Sequence, residues 1–321
     1  MLMSFEAASA RIKDGKLLHI AGAEALLRKL PKGRWIGGST EYFMTEEGGK
    51  VSGSHLYITE FPYEFSIQSY GMSDIENVAS DAYDNGFSIL IIPFDSALHI
   101  EYANSAAGYR DMFFKNIAGW ISGVNMSAEG QTPVAVNGMT GEVFTDKAVA
   151  LHMKIPADKT ASISIVNIFS QDEDAPVIEF TEEGFLVKTC LIDGKETSFA
   201  DYITQNNIDT RMPLVGDYSG NGVNIGFRDI IDGVVRVYSP VFPGIRYRAA
   251  KRVTDYVKEF NSRLTERTNA DVVFSCNCLL NFLYGELEGK SIEAFYGPIT
   301  FGEIAYQLVN QTLVYVSVLD K

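Results

Sequence analysis

The chain has 321 residues, 46% apolar and 21% charged, which excludes a disordered protein and suits one large domain or two modest ones. A formal net charge of −14 argues against a nucleic-acid partner, because phosphate binding needs clustered Lys and Arg, and against an anionic membrane surface. Cys190, Cys276 and Cys278 make no disulfide framework, the N-terminus reads as no signal peptide, and no apolar run approaches the ~18 residues of a spanning helix, so a soluble cytoplasmic protein is expected.

Ala23, Leu26, Leu27 and Leu30 recur at helical spacing, and Pro31-Lys32-Gly33 stops that helix. A strand over 34–37 runs into a polar turn, Gly38-Ser39-Thr40, and residues 55–61 read as a strand after Gly48-Gly49. Ser73-Asp74-Ile75-Glu76 has the form of a capping box; Ile75, Val78, Ala79 and Ala82 then make one helical face, which Asn85-Gly86 ends. Residues 87–94 (F-S-I-L-I-I-P-F) are apolar on both faces and predict a central strand with Asp95-Ser96 at its C-terminal end. A second helix is expected over 104–118, then a strand at Trp120-Ile121 and a glycine at Gly123. A turn-rich run with Asn125, Asn137-Gly138 and Thr140-Gly141 leads to a strand over about 143–155.

Residues 161–239 look β-rich, with turn signals at Asp193-Gly194 and Asp232-Gly233 and one helix over 198–206. The earlier order then returns: helix 253–264, strand 272–276 ending at Asn277, a helical piece 279–284, strand 292–296, a Gly-rich turn and strand 312–318. Two passages with one element order read as an internal duplication. Trp35-Ile36-Gly37-Gly38 echoes Trp120-Ile121-Ser122-Gly123, which makes the N-terminal segment a candidate fragment of the same unit. The fold expectation is α+β, with two related halves whose packed mixed or antiparallel sheets carry outer helices, an αββα-like sandwich. Its expected boundary lies near Ser198, giving domains 1–197 and 198–321.

Each polar candidate has a structural reading beside its functional one. Thr300-Phe301-Gly302-Glu303 fits T-x-x-E, so Glu303 either caps a short helix or joins Thr300 in contacting a ligand held at the Gly297 turn. A helix N-terminus favours an anion and a carboxylate favours an amine, so together they suit a zwitterion such as an amino acid. Cys276-Asn277-Cys278 has no zinc spacing, with His scattered at His19, His55, His99 and His152; Cys276 reads as a small buried residue ahead of a nucleophile. Gly220–Gly226 lacks the context of a phosphate loop and Asp172-Glu173-Asp174 lacks a calcium ladder, so neither cofactor nor metal is expected. Asp95-Ser96 stands where α/β proteins bind ligands, or else caps the next helix. The expected pocket joins Asp95, Ser96, Cys276, Asn277, Thr300 and Glu303 to the turns at Gly37-Gly38-Ser39-Thr40, at Gly123 with Asn125, and at Gly297.

Residues 272–276, Leu283-Tyr284-Gly285-Glu286, Phe295-Tyr296-Gly297, residues 300–304 and Asn310-Gln311-Thr312-Leu313 resemble the C-terminal part of FIST domain proteins. Pro213-Leu214-Val215 and residues 233–248 fit that domain's opening, while residues 35–40 and 137–153 resemble the N-terminal FIST domain less closely. The resemblance spans most of residues 30–321 and is most specific at 300–304. It implies a sensory module of bacterial signalling proteins that binds a small molecule, with amino acids proposed as ligands, and no established enzyme activity. The family pattern carries an Arg shortly after its Ser-Cys pair, whereas Cys278-Leu279-Leu280-Asn281 has none, which implies a different ligand or grip. Output would pass through a separate signalling partner. Two other readings stay open: a hydrolase or transferase using Cys276 with a nearby acid, and a scaffold that holds a partner on an apolar patch.

Overall fold

One element order, strand, helix, strand, helix, strand, hairpin, strand, occurs three times along the chain. A computed structural model describes residues 1–264, 271–292 and 295–321. The first unit is β1 (Leu2–Ser4), α1 (Phe5–Lys13), β2 (Leu17–Gly22), α2 (Glu24–Leu27), β3 (Trp35–Ser39), the hairpin β4 (Tyr42–Thr45) and β5 (Gly48–Val51), and β6 (His55–Phe61). In the second, β7 (Glu64–Tyr70) leads through a 3₁₀ turn, Ile75–Val78, to β8 (Gly86–Pro93), α3 (Ala97–Ser105) and β9 (Ile117–Ser122). The hairpin β10 (Ala135–Asn137) and β11 (Glu142–Phe144) follows, then β12 (Ala148–Lys154).

The third unit opens with β13 (Lys159–Val166) and is interrupted by a lobe over residues 167–250. The lobe holds β14 (Ile178–Glu179), β15 (Gly184–Val187), β16 (Thr189–Ile192), β17 (Lys195–Ser198), α4 (Phe199–Gln205), β18 (Leu214–Tyr218), β19 (Asn221–Ile225), β20 (Phe227–Ile231), β21 (Val234–Val241) and β22 (Arg246–Ala249). The unit then resumes with α5 (Tyr256–Leu264), β23 (Asp271–Cys278), α6 (Leu279–Tyr284), β24 (Gly297–Thr300), the hairpin β25 (Glu303–Ala305) and β26 (Gln307–Val309), and β27 (Leu313–Asp320).

Three six-stranded sheets share one topology: β1-β6-β2-β3-β10-β11, β7-β12-β8-β9-β25-β26 and β13-β27-β23-β24-β4-β5. In each, the central pair (β2 with β3, β8 with β9, β23 with β24) is parallel and the remaining pairings are antiparallel. No unit keeps its own hairpin. The first completes the sheet of the third, the second that of the first, and the third that of the second. The architecture is therefore α+β, with mixed and antiparallel sheets and few helices. The relation seen between two passages of sequence extends, in the topology, to the N-terminal segment as a full third unit.

Glycine makes the parallel pairs possible. A Cβ added at Gly37, Gly119 or Gly297 would lie 2.8, 1.9 or 1.9 Å from the carbonyl oxygen of Ile20, Leu90 or Ser275 on the neighbouring strand. Both faces of β8 and β23 meet protein, which is why their sequences run apolar without alternation. The lobe packs a separate core around Phe180, Phe199, Leu214, Val235 and Tyr247. Its hairpins turn at Asp193-Gly194 and Asp232-Gly233, where all four residues have positive φ, as a two-residue I′ turn needs. Ser198, the expected boundary, caps α4 within this lobe.

Several local expectations give way to competing side-chain bonds. Residues 73–85 form only the 3₁₀ turn, because Asp74 accepts from the Gly71 amide (2.6 Å) and Asp81 from the Tyr70 hydroxyl (2.9 Å). The apolar face is buried as expected, with Ile75, Val78, Ala79 and Ala82 in the core. The helix expected over 104–118 starts earlier, at the Ser96 cap, and ends at Ser105. Beyond it Asp111 takes a left-handed φ of 62°, which an α-helix cannot hold. The strand expected over 292–296 includes residues 293 and 294, outside the described residues; the strand itself is Gly297–Thr300.

Gly297→Ala should lower stability by about 1–3 kcal/mol or more, since the obstacle is backbone. Gly108→Ala, where an added Cβ meets nothing within 4 Å, should stay within about 0.5 kcal/mol. Denaturant unfolding measures both, and equal effects would contradict the close-approach argument.

Candidate functional site

The C-terminal ends of β3, β9 and β24 meet in a cyclic set of hydrogen bonds. The Gly123 amide donates to the Ser39 carbonyl (2.7 Å), the Phe301 amide to Ile121 (3.0 Å), and Thr40 Oγ1 to Ile299 (2.7 Å). The structure thus brings Ser39, Thr40, Gly123 and Thr300 together, but as a packed junction. Ser39, Thr40 and Thr300 are buried. The Phe301 ring occupies the place of a side chain at Gly123, since an added Cβ there would lie 1.9 Å from it. Gly38 faces Ile91 and Trp120 in the same way, and Gly37 and Gly297 sit inside strands. The space beside Cys278, Thr300, Phe301 and Asn310 is about 10 Å³, room for a water at most. These four glycines serve strand packing where the sequence suggested ligand-binding turns.

Glu303 is the most consequential residue of this junction. It lies in β25, fully buried, so the T-x-x-E match does not cap a helix. Its carboxyl group accepts from Thr300 Oγ1 (3.0 Å), Thr312 Oγ1 (2.8 Å) and the Thr312 amide (3.2 Å). Burial pushes its pKa up to about 8, and the Thr312 and Thr300 bonds offset only part of that rise. Asn277 Oδ1 accepts from the Cys278 amide (2.8 Å) and Asn281 Nδ2 (3.0 Å), so Asn277 organises the start of α6.

Burial and then the neighbouring Glu303 push the Cys276 and Cys278 thiols well above the ordinary range, opposite to what a nucleophilic thiolate needs. A buried chain, Ser88 to His152 Nδ1 (2.7 Å), His152 Nε2 to Tyr70 (2.9 Å) and Tyr70 to Asp81 (2.9 Å), also resembles a nucleophile with its base. Ser88 and His152 are both fully buried, so substrate has no access to them. Asn125 lies beside the junction without entering its cyclic bonds. Its Nδ2 and Gln131 Nε2 each donate to Glu41 at 2.8 Å, which fastens the loop after β9 to the first unit.

Asp95 opens onto a different space, while Ser96 beside it serves as a helix cap. The chain leaves β8 with Asp95 at φ 60°, and Ser96 caps α3, accepting from the His99 amide (3.1 Å) and donating to the Pro93 carbonyl (2.8 Å). Here the second unit faces the lobe across a cavity of about 260 Å³ lined by Phe94, Asp95, His99, Phe185, Arg228, Arg236 and Tyr238, among others. Arg228 forks onto both Asp95 oxygens (3.3 and 3.2 Å) and lies 5.4 Å over the Phe94 ring, while Arg236 pairs with Asp229. Phe94 connects the cavity to the junction through its amide bond to Ser122 (3.0 Å) and its ring contact with Phe301.

His99 sets the chemistry of this cavity. Burial lowers its pKa to about 4, so the ring is neutral at pH 7. Nδ1 accepts from the Asp95 amide (3.3 Å), which assigns the ring proton to Nε2. That Nε2–H is buried and has no hydrogen-bond partner, a state that costs about 1–3 kcal/mol when left unmade. Sequence reasoning reached Asp95 and Ser96 but not His99, whose signal was its place three residues after a cap. Arg228 and Arg236 come from the lobe, more than a hundred residues away, with no local signal. Among the described residues no group of three or more His, Cys, Asp or Glu is arranged to hold a metal, and no helix is long and apolar enough to cross a membrane.

Two measurements check the junction. Because the folded pKa of Glu303 exceeds its unfolded value, the folded chain keeps a proton that the unfolded chain releases. Stability from this group is complete below pH 4.5 and is lost as pH rises through about 8. Glu303→Gln should flatten that slope in denaturant titrations between pH 5 and pH 8; an unchanged slope would assign the proton elsewhere. Cys276 and Cys278 should resist iodoacetamide at pH 7 until the chain unfolds, whereas rapid labelling of Cys276 in the folded state would revive the nucleophile reading.

No curated protein matches the chain. The sequence model of a family of unknown function, DUF6976, matches residues 3–319, nearly the full length, and the protein belongs to that family.

Proposed function

We propose that the protein is a cytoplasmic small-molecule sensor that binds a carboxylate ligand, amino acids first among the candidates, and signals through a separate partner protein. The observation that carries this reading is the unpaired Nε2–H of neutral His99 beside Arg228 in an aromatic-walled cavity. A ligand oxygen would satisfy His99 and share the Arg228 fork, and Asp95 would remain close enough to receive an amine. The volume of about 260 Å³ lies just below the ~300–1,000 Å³ of sites for drug-sized ligands, which favours a small metabolite.

The position suits a sensor. Phe94, Asp95 and His99 come from the second unit, while Phe185, Arg228, Arg236 and Tyr238 come from the lobe, so a ligand touching both would favour one packing of the lobe over others. The FIST resemblance implies the same class of function, and the three free, buried cysteines support a reducing compartment.

A thermal-shift screen of the twenty amino acids and small mono- and dicarboxylates should find a stabiliser, worth about 2.7 kcal/mol at a hundredfold excess over Kd. Arg228→Ala and His99→Phe, checked by circular dichroism for native folding, should each weaken that shift by the equivalent of about tenfold or more in Kd. A panel without a stabiliser, or a stabiliser indifferent to both substitutions, would reject the reading.

A further inference from the structure

We infer a second binding site, for an uncharged polyhydroxylated ligand of the saccharide class, in the cleft of about 780 Å³ that opens one turn further along α3. Two elements run past both spaces in turn. On α3, His99 and Ile100 line the cavity and, one turn on, Ala103 and Asn104 line the cleft; on β21, Val237 and Tyr238 line the cavity and the next two residues, Ser239 and Pro240, line the cleft.

The lining chemistry is distinctive for so acidic a chain. Although 21% of all residues are charged, no Asp, Glu, Lys or Arg among the described residues lines the cleft. In their place stand the amides of Asn104, Asn221 and Gln307 and the rings of Phe113, Tyr218 and Phe242. A charged ligand would lose water there without gaining a counter-charge, and a purely apolar one would strip the amides of theirs. A sugar meets both demands. Each hydroxyl donates and accepts, as each amide side chain does, and the C–H face of the ring can lie on an aromatic surface.

Asn104 offers a waiting contact, since its Oδ1 is buried without a partner while lining the cleft. Phe113 offers an accessible ring at 59% exposure. Asn224, by contrast, is consumed in fastening the lobe to the core, with Nδ2 donating to Asn167 Oδ1 (2.9 Å) and the Asn310 carbonyl (3.1 Å).

The test is calorimetry on the full chain with neutral mono-, di- and trisaccharides of glucose, galactose, mannose and N-acetylglucosamine. At least one should bind, and Asn104→Ala and Phe113→Ala should each weaken it roughly three- to tenfold. Asn221→Ala, at the exposed start of β19, replaces Asn104→Ala if that variant fails to fold. Arg228→Ala should leave saccharide binding unchanged, so this site and the carboxylate cavity stand or fall separately. No binding by any neutral sugar, preference for a charged sugar or an uncharged peptide, or binding indifferent to the cleft substitutions would overturn the inference.

Discussion

Each of the three core sheets is finished by a hairpin that belongs to another unit, and the other features of the molecule follow from that exchange. Backbone groups on β3, β9 and β24 find their partners only when all three units are in place. The cyclic bonds among Ser39, Thr40, Ile121, Gly123, Ile299 and Phe301 close the same circuit at the strand ends. His19 joins all three units in one contact. It comes from the first, accepts from the Trp120 indole of the second at 2.9 Å, and meets the Phe274 ring of the third edge-on. Such a core folds as one body.

That closure explains why the most distinctive sequence in the chain is not the open site. The Thr300–Glu303 stretch had to turn from β24 into the exchanged hairpin within a few residues while keeping a carboxyl group dry. The Thr300 and Thr312 hydroxyls satisfy that group, and its raised pKa leaves it uncharged in the interior. The proposed ligand cavity lies further out, at the seam where the lobe lies on the end of β8 and the start of α3. A seam between separately packed bodies is where unmade hydrogen bonds such as those of His99 and Asn104 can persist.

The sequence was most legible where local chemistry and final contacts agree. Unalternating apolar runs became the central strands β8 and β23, and Asp-Gly pairs became the lobe's turns. The threefold repeat was hard to see because α2 in the first unit is a single short turn and residues 167–250 separate β13 from the rest of the third. Capping signals over 73–76 failed because Asp74 and Asp81 bond elsewhere. Asp95 and Ser96 were legible from their place after a buried strand. The arginines that share the cavity with Asp95 were not, since only tertiary folding carries the lobe to it.

The proton on His99 tests the functional account most directly. Nitrogen-15 NMR of histidine-labelled protein at pH 7 should show His99 neutral with its proton on Nε2, and that resonance should move as a stabilising carboxylate is titrated in. A proton on Nδ1, or a resonance that stays fixed while the ligand saturates the protein, would contradict it.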